Sequence, residues 1–239
     1  MNTVVKKMQA EYNCPKFIKS RDYEYRPFFE YIAKIYDLGL KFLTLGKETL
    51  IRQKLIKTAV NMLELSQTKN LTVLDLCTGT GSLALMVKKM YPSSTVYGID
   101  VSEGMLNIAK EKARKNKLHI TFKKCDVRAL PFQNESFDIV MVSLCMHELP
   151  LTIRNQVLQE ISRVLKNNGI LAVFDYGHQQ SAIQRALYTL LMSIEEESAK
   201  EFLSKPFSKD LVRNGFKVIN RISIFYGILE YYFAKKETK

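Results

Sequence analysis

The 239-residue chain contains no tryptophan and only three histidines, four cysteines and six prolines. No stretch stays apolar for the roughly 20 residues that a membrane-crossing helix needs. The N-terminus, MNTVVKKMQAEYNCPK, has no apolar core of the kind that marks a signal peptide. Cys14, Cys77, Cys125 and Cys145 are scattered and form no CxxC pair, which argues against a zinc site or a disulfide framework and for reduced thiols. The run from His147 to Leu151, HELPL, is not HExxH, so a zinc hydrolase is excluded and no metal is expected. Internal repeats and low-complexity linkers are missing too. The expectation is a cytoplasmic globular protein.

What is abundant is positive charge: 36 basic against 24 acidic side chains give a net +12. Such a surplus suits nucleic acid, an anionic membrane surface or an acidic substrate, but it also simply keeps a protein in solution. The densest cluster, KEKARKNKLH (Lys110 to His119), reads as a solvated helix end and a turn. No aromatic residues alternate with its lysines, so a base-stacking platform is not indicated and a nucleic-acid partner is not expected. Peripheral association with an anionic membrane stays open.

Residues 1–67 lack strand alternation. RPFFEYIAKIYDLGLKFLTL and ETLIRQKLIKTAVNMLEL space their apolar residues helically, which predicts a helical cap over 1–67 within the same domain as a core over 68–239. From Leu71 the pattern becomes strand, loop, helix, repeated. LTVLDLC, TVYGID, HITFKKCD, FDIVMVSLC and GILAVFDYG read as strands. SLALMVKKMY, SEGMLNIAKEKARKN and LTIRNQVLQEISRVLKNNG read as the helices between them. The last helix carries Val157, Leu158, Ile161, Val164 and Leu165 on one face and ends at Asn168-Gly169. After helical 179–202 and SKDLVRNGF, the run KVINRISIFYGILEYYFAKK reads as two successive strands with Gly227 as a bulge. Without a crossover helix that pair must be antiparallel. The fold class is α/β: a seven-stranded, mostly parallel sheet with helices on both faces, the last strand pair antiparallel, and an N-terminal helical cap.

In VLDLCTGTGSLAL a buried strand ends at Asp75, turns through Thr78-Gly79-Thr80-Gly81 and enters a helix. Glycines there permit positive φ and a close approach of backbone to ligand. Gly79, Gly81 and Ala84 satisfy the loose GxGxxG/A dinucleotide pattern. A dinucleotide site, however, wants its first glycine at the strand end, where Asp75 stands instead. A carboxylate facing that position repels pyrophosphate and suits an ammonium or a sulfonium, which favours S-adenosylmethionine over NAD. Asp100, ending the next strand, is placed to bind ribose hydroxyls.

DLCTGTG followed by GIDVSEGML, KCDVRALPFQNESFDIV and RVLKNNG resembles the motif series of the class I S-adenosylmethionine-dependent methyltransferases, over about 71–176. Within that class the chain is similar to the ubiquinone/menaquinone biosynthesis C-methyltransferases. The resemblance implies S-adenosyl-L-methionine as cofactor. Its acidic-glycine motif falls on Asp75, Cys77, Thr78, Gly79 and Gly81, with Cys77 where a glycine is usual. The ribose-binding acid falls on Asp100, with Val101 along the adenine and Met105 following. Asp126 and Val127 match the adenine-amino contact, and Ser143 the position beneath the methionine part. YDLGLKFLTLGKETLIRQ is similar to the segment that precedes the motif in quinone methyltransferases. Tyr36, Asp37, Gly46 and Arg52 are kept, whereas Lys47 replaces a histidine and the tryptophan is missing. ISIFYGILEYYFAKK resembles the family's last strand.

Methyl transfer from a sulfonium is an in-line displacement that needs positioning in a dry site, and a base only where the acceptor must lose a proton. His147 and Tyr36 are the candidate catalytic residues: His147 as base or substrate orienter, Tyr36 closing over the methyl group with Phe28, Phe29 and Tyr31 as an apolar lid. The same aromatics also suit helix–helix core, and His147 a loop beside a helix start. Tyr176 and Tyr226 are candidates for the substrate side. Cys145 lacks the preceding proline of cytosine C5-methyltransferases, and the [DNS]-P-P-[YFW] motif of amine-methylating relatives is absent, which argues against base methylation. The expected function is methylation of a small, apolar, quinone-like or lipid-like acceptor. A phospholipid headgroup or small amine competes as acceptor. An NAD(P)-dependent oxidoreductase and a non-catalytic S-adenosylmethionine-binding module are the alternative classes.

Overall fold

The computed structural model describes residues 36–64, 70–178 and 197–237. Among the described residues, α1 (Tyr36–Leu43) and α2 (Glu48–Asn61) precede the first strand. Then come β1 (Thr72–Leu76), α3 (Ser82–Met90), β2 (Thr95–Asp100), α4 (Glu103–Lys115), β3 (Thr121–Lys124) and β4 (Phe137–Ser143). A single 3₁₀ turn (Met146–Glu148) leads to α5 (Leu151–Val164) and β5 (Leu165–Tyr176). The chain closes with α6 (Glu197–Leu203), α7 (Ser208–Arg213), β6 (Phe216–Ile224), a 3₁₀ turn (Phe225–Gly227) and β7 (Leu229–Lys236).

The seven strands form one sheet in the order β3-β2-β1-β4-β5-β7-β6, with β7 antiparallel to both neighbours and the remaining pairings parallel. Phe137 to Val142 of β4 are all buried. Successive strand side chains point to opposite faces, so an unbroken buried run means that both faces are covered. Helices α2, α3 and α4 lie side by side on strands β5, β1, β2 and β3, whereas α5 packs on β5 and against α6. The apolar stripe of α5, Val157, Leu158, Ile161 and Val164, is fully buried as its spacing requires. Helix α4 shows how its ends are set. Ser102 accepts the Met105 N–H at 3.1 Å, Glu103 occupies the first turn, and Lys112, Arg114 and Lys115 the last, all complementing the helix dipole.

Two boundaries differ from the sequence reading. Helix α5 ends at Val164, and Asn168-Gly169 lie inside β5 rather than closing the helix. Leu165 pairs with Phe137 and Ile170 with Ile139, so residues 166–169 bulge out opposite Asp138. Gly169 is needed there for space: a Cβ would come within 2.8 Å of Leu165 Cδ1 and 3.0 Å of the Asp138 carbonyl. Gly227 sits in the turn between β6 and β7, and the irregular step falls between Val218 and Asn220 instead. That turn is too short for a crossover, which forces the antiparallel pairing.

Helix α2 belongs to the core. Its Leu55, Ile56 and Ala59 are fully buried, and the Tyr231 hydroxyl of β7 donates to the Ile51 carbonyl at 3.2 Å. Helix α1 is held differently, through Asp37. The proposed lid aromatics Phe28, Phe29 and Tyr31 lie outside the described residues, as do 179–196 of the predicted helical 179–202 segment. Among the described residues no helix is long and apolar enough to cross a membrane.

Candidate cofactor and acceptor site

The strand order reverses between β1 and β4, which opens a crevice beyond their carboxyl ends where open α/β sheets hold their ligands. The predicted cofactor residues gather around it. The Thr78 N–H donates to the Ile99 carbonyl at 2.9 Å, and the Gly79 N–H donates to Asp100 Oδ2 at 2.8 Å. Asp100 Oδ1 accepts the Ser102 N–H at 2.9 Å, so two backbone amides orient this partly exposed carboxylate at the end of β2. Gly81 has φ +76°, and a Cβ there would lie 2.7 Å from Ala109 Cβ, so the turn into α3 tolerates nothing larger. Gly79, at φ +54°, has no atom within 4 Å of where a Cβ would stand. Open space above the loop, beside an oriented carboxylate, fits the ribose and amino-acid portions of S-adenosylmethionine.

Asp75 does not face that space. It is 1% exposed, and its Oδ2 accepts the Thr78 hydroxyl at 2.6 Å and the Ala84 N–H at 3.0 Å. The carboxylate read from the sequence as a ligand-facing charge is therefore turned into the loop, because its short side chain at a strand end meets the orphan amides of the next helix turn. Burial pushes its pKa up to about 7, against the hydrogen bonds from Thr78 and Ala84.

Asp126 is also engaged. Arg128 holds it with Nε at 3.0 Å from Oδ1 and a terminal nitrogen at 2.6 Å from Oδ2. Nothing in the sequence marks this arginine as a partner beyond its place two residues after Asp126. Val127 and Met105 are buried, and Val101 and Ser143 are partly exposed at the ends of β2 and β4.

Cys77 has φ +55°, a left-handed conformation that explains why glycine is usual at this position. It is joined by a disulfide to Cys145, their Cα atoms 6.3 Å apart. The expectation of reduced thiols is thus corrected for this pair, while the buried Cys125 keeps its thiol, which donates to the Ala129 carbonyl at 3.6 Å. Sequence spacing misses the bond because its partners stand 68 positions apart. They meet only because β1 and β4 are neighbours in the sheet.

The loop after β4 forms a second cluster. His147 is 4% exposed, with Nδ1 2.5 Å from Asp175 Oδ1 and Nε2 3.5 Å from Glu148 Oε1. Burial alone would lower the imidazole pKa, but the Asp175 and Glu148 carboxylates push it up to about 10. Asp175 also accepts the N–H groups of Met146 at 2.8 Å and Cys145 at 3.2 Å, which fixes the loop. Tyr176 lies against the imidazole, ring centroids 4.5 Å apart, whereas Tyr226 is 91% exposed. Arg154 is fully buried. It donates to the carbonyls of Met146 at 3.2 Å and Leu149 at 3.0 Å and pairs with Asp210 and Glu201. Asp175 had a legible signal, a lone charge inside the apolar run LAVFDY. Arg154 had none beyond its place on an amphipathic helix.

Helix α1 reaches the glycine loop through Asp37, whose Oδ1 accepts the Thr80 hydroxyl at 2.6 Å and the Ser82 hydroxyl at 3.3 Å and whose Oδ2 pairs with Lys112. Tyr36 opens the same helix.

A parallel sheet with a glycine loop after β1, an acid at the end of β2 and an antiparallel β7 defines a class I methyltransferase, and the chain belongs to that S-adenosylmethionine-dependent family. The profile described as "Methyltransferase domain" matches residues 73–169. The chain is 31% identical over 216 residues to the ubiquinone/menaquinone biosynthesis C-methyltransferase UbiE of Bdellovibrio bacteriovorus, spanning 86% of this chain and 88% of that one. It is 32% identical over 185 residues to the demethylmenaquinone methyltransferase of Lactococcus lactis, spanning 77% and 69%. Among solved structures, magnesium protoporphyrin IX methyltransferase from Synechocystis PCC 6803 with bound SAH superposes with a TM-score of 0.60 at 18% identity, over 78% of this chain and 83% of that one, which shows the shared fold. The enzyme is an S-adenosylmethionine-dependent methyltransferase, and the NAD(P)-dependent alternative falls away.

Proposed function

We propose that the enzyme transfers a methyl group to a small quinone-type acceptor in its reduced, hydroxylated form. The observation that carries this reading is the match along 86% of the chain to a protein named for ubiquinone and menaquinone biosynthesis. Asp100 takes the ribose hydroxyls. The Thr78–Gly81 loop and Ser143 take the methionine part. Val101, Met105, Asp126 and Val127 line the adenine side. When bound, S-adenosylmethionine would supply an electrophilic methyl group to a nucleophilic ring carbon of the acceptor, its sulfur keeping the electrons of the broken bond, and the proton on that carbon would pass to the ring oxygen as the aromatic ring is restored.

His147 does not act as the base in this scheme. Carboxylates face both ring nitrogens, so it is protonated at neutral pH and accepts no further proton. Glu148, whose side chain is 23% exposed beside Nε2, takes the acceptor's hydroxyl proton. His147 orients that carboxylate, Asp175 orients His147, and Tyr176 supplies apolar wall. Because α2 is committed to the core, the lid role of the 1–67 cap falls to α1 with Tyr36 and to the residues before it. Work from the cytoplasmic side, with the basic surface near anionic lipid, suits so apolar an acceptor.

The test is incubation with methyl-labelled S-adenosylmethionine and a short-chain demethylated naphthoquinol, with phosphoethanolamine in parallel. Label on a ring carbon of the quinol supports the reading. Label on the amine, or on neither while S-adenosylhomocysteine still binds, overturns it.

A further inference from the structure

The Cys77–Cys145 bond lies where the cofactor belongs. Cys77 follows the end of β1 and Cys145 follows the end of β4 by two residues, and these two strands flank the point at which the sheet order reverses. A sulfur–sulfur bridge joins the two loops on either side of that point. Cys77 at φ +55° and Leu144 at φ +51°, next to Cys145, both hold left-handed conformations, as turn residues such as Lys117 and Glu135 do elsewhere. Both cysteines are partly exposed, whereas Cys125 is buried at 4% exposure.

From this juxtaposition we infer that Cys77 and Cys145 form a reversible thiol switch that, when oxidised, ties the glycine loop to the loop after β4 and weakens cofactor binding, and that frees both loops when reduced. The inference rests on the assignment of the crevice to S-adenosylmethionine. The oxidant is a peroxide. One thiolate attacks the O–O bond, giving a sulfenic acid and releasing one water or alcohol, and the second thiol displaces the sulfenic oxygen as water. Two electrons pass from the two sulfurs to the peroxide. A dithiol reductant reverses the bond by exchange, taking its own oxidation to a disulfide. In a reducing compartment, disulfides that do form are usually transient and redox-sensing, which suits a pair placed over a binding site better than one buried in a core.

The experiment is calorimetric titration of the full chain with S-adenosylhomocysteine, after hydrogen peroxide and after dithiothreitol, with the bridge mapped by peptide mass spectrometry. Peroxide is expected to yield the peptide joining Cys77 to Cys145 and to weaken binding at least tenfold, with dithiothreitol restoring it. In Cys145→Ser the affinity ratio between the two treatments is expected to fall to near one. Failure of the joined peptide to form, or equal affinity in both states, overturns the switch alone. A reduced protein that binds no S-adenosylhomocysteine overturns the cofactor assignment, and the switch with it.

Discussion

His147 and Asp175, 28 positions apart, meet with Nδ1 2.5 Å from Oδ1 in a space closed to solvent. The pair ties the loop after β4 to the end of β5 and gives the imidazole its charge.

That charge sets a pH signature. The folded pKa, about 10, lies above the ordinary 6.5, so the stabilisation is full below 6.5 and is lost as pH rises through about 10. Asp175→Asn is expected to cost about 3–5 kcal/mol at pH 7, because one partner of a buried pair is removed. The variant is also expected to lose the decline in stability that the wild type shows between pH 7 and 10. Urea unfolding across that range checks it, and a variant that keeps the wild-type slope would refute the pairing.

Asp75 is predicted to destabilise the fold when ionised. Its pKa is raised from 3.8 to about 7, so its contribution is best below 3.8 and is lost as pH rises through about 7. In Asp75→Asn the amide oxygen still accepts from Thr78 and Ala84. The variant is expected to gain about 1–3 kcal/mol relative to wild type between pH 4 and pH 8. Difference curves from paired denaturant titrations measure this.

Asp37 links the first helix to the glycine loop. Burial opposes its ionisation, yet hydrogen bonds from Lys112 and Thr80 hold the carboxyl below its ordinary range, so the contact persists at neutral pH. Its side chain is 41% exposed, and Asp37→Ala should therefore cost under about 1 kcal/mol of global stability. Cofactor affinity is expected to fall about three- to tenfold, because the loop loses its outer support. Titration with S-adenosylhomocysteine gives the answer, and unchanged affinity would show that the contact is passive.

Arg154 is fully buried with its guanidinium 2.6 Å from Asp210 and 2.7 Å from Glu201. Arg154→Met removes the guanidinium from the enclosed Asp210 and leaves it only Lys205 at 3.9 Å, for an expected loss of about 3–5 kcal/mol. Adding Asp210→Leu should recover more than half of it. Thermal unfolding of the two variants tests this, and a double variant no better than the single one would rule out the electrostatic account.

Much of this was legible in the residues themselves. The buried run of β4, the glycine turn ending at Gly81 and the acid ending β2 are local patterns, because strand period, positive φ and strand-end position are properties of a few consecutive residues. The direction of a side chain is not. Asp75 is readable as a strand-end carboxylate, but whether it faces ligand or loop depends on the amides that α3 brings to it. Asn168-Gly169 looks like a helix stop, and becomes a strand bulge because β4 offers pairing from Phe137 onward.

The sequence by itself determined the class of fold and the cofactor, since each rests on short-range chemistry repeated in order along the chain. Only the tertiary structure decided that β7 runs between β5 and β6, that Asp175 charges His147, that Arg154 meets Asp210 and that Cys77 meets Cys145. Those contacts join residues tens of positions apart. Which of them form follows from which strands become neighbours, and burying the whole apolar surface decides that.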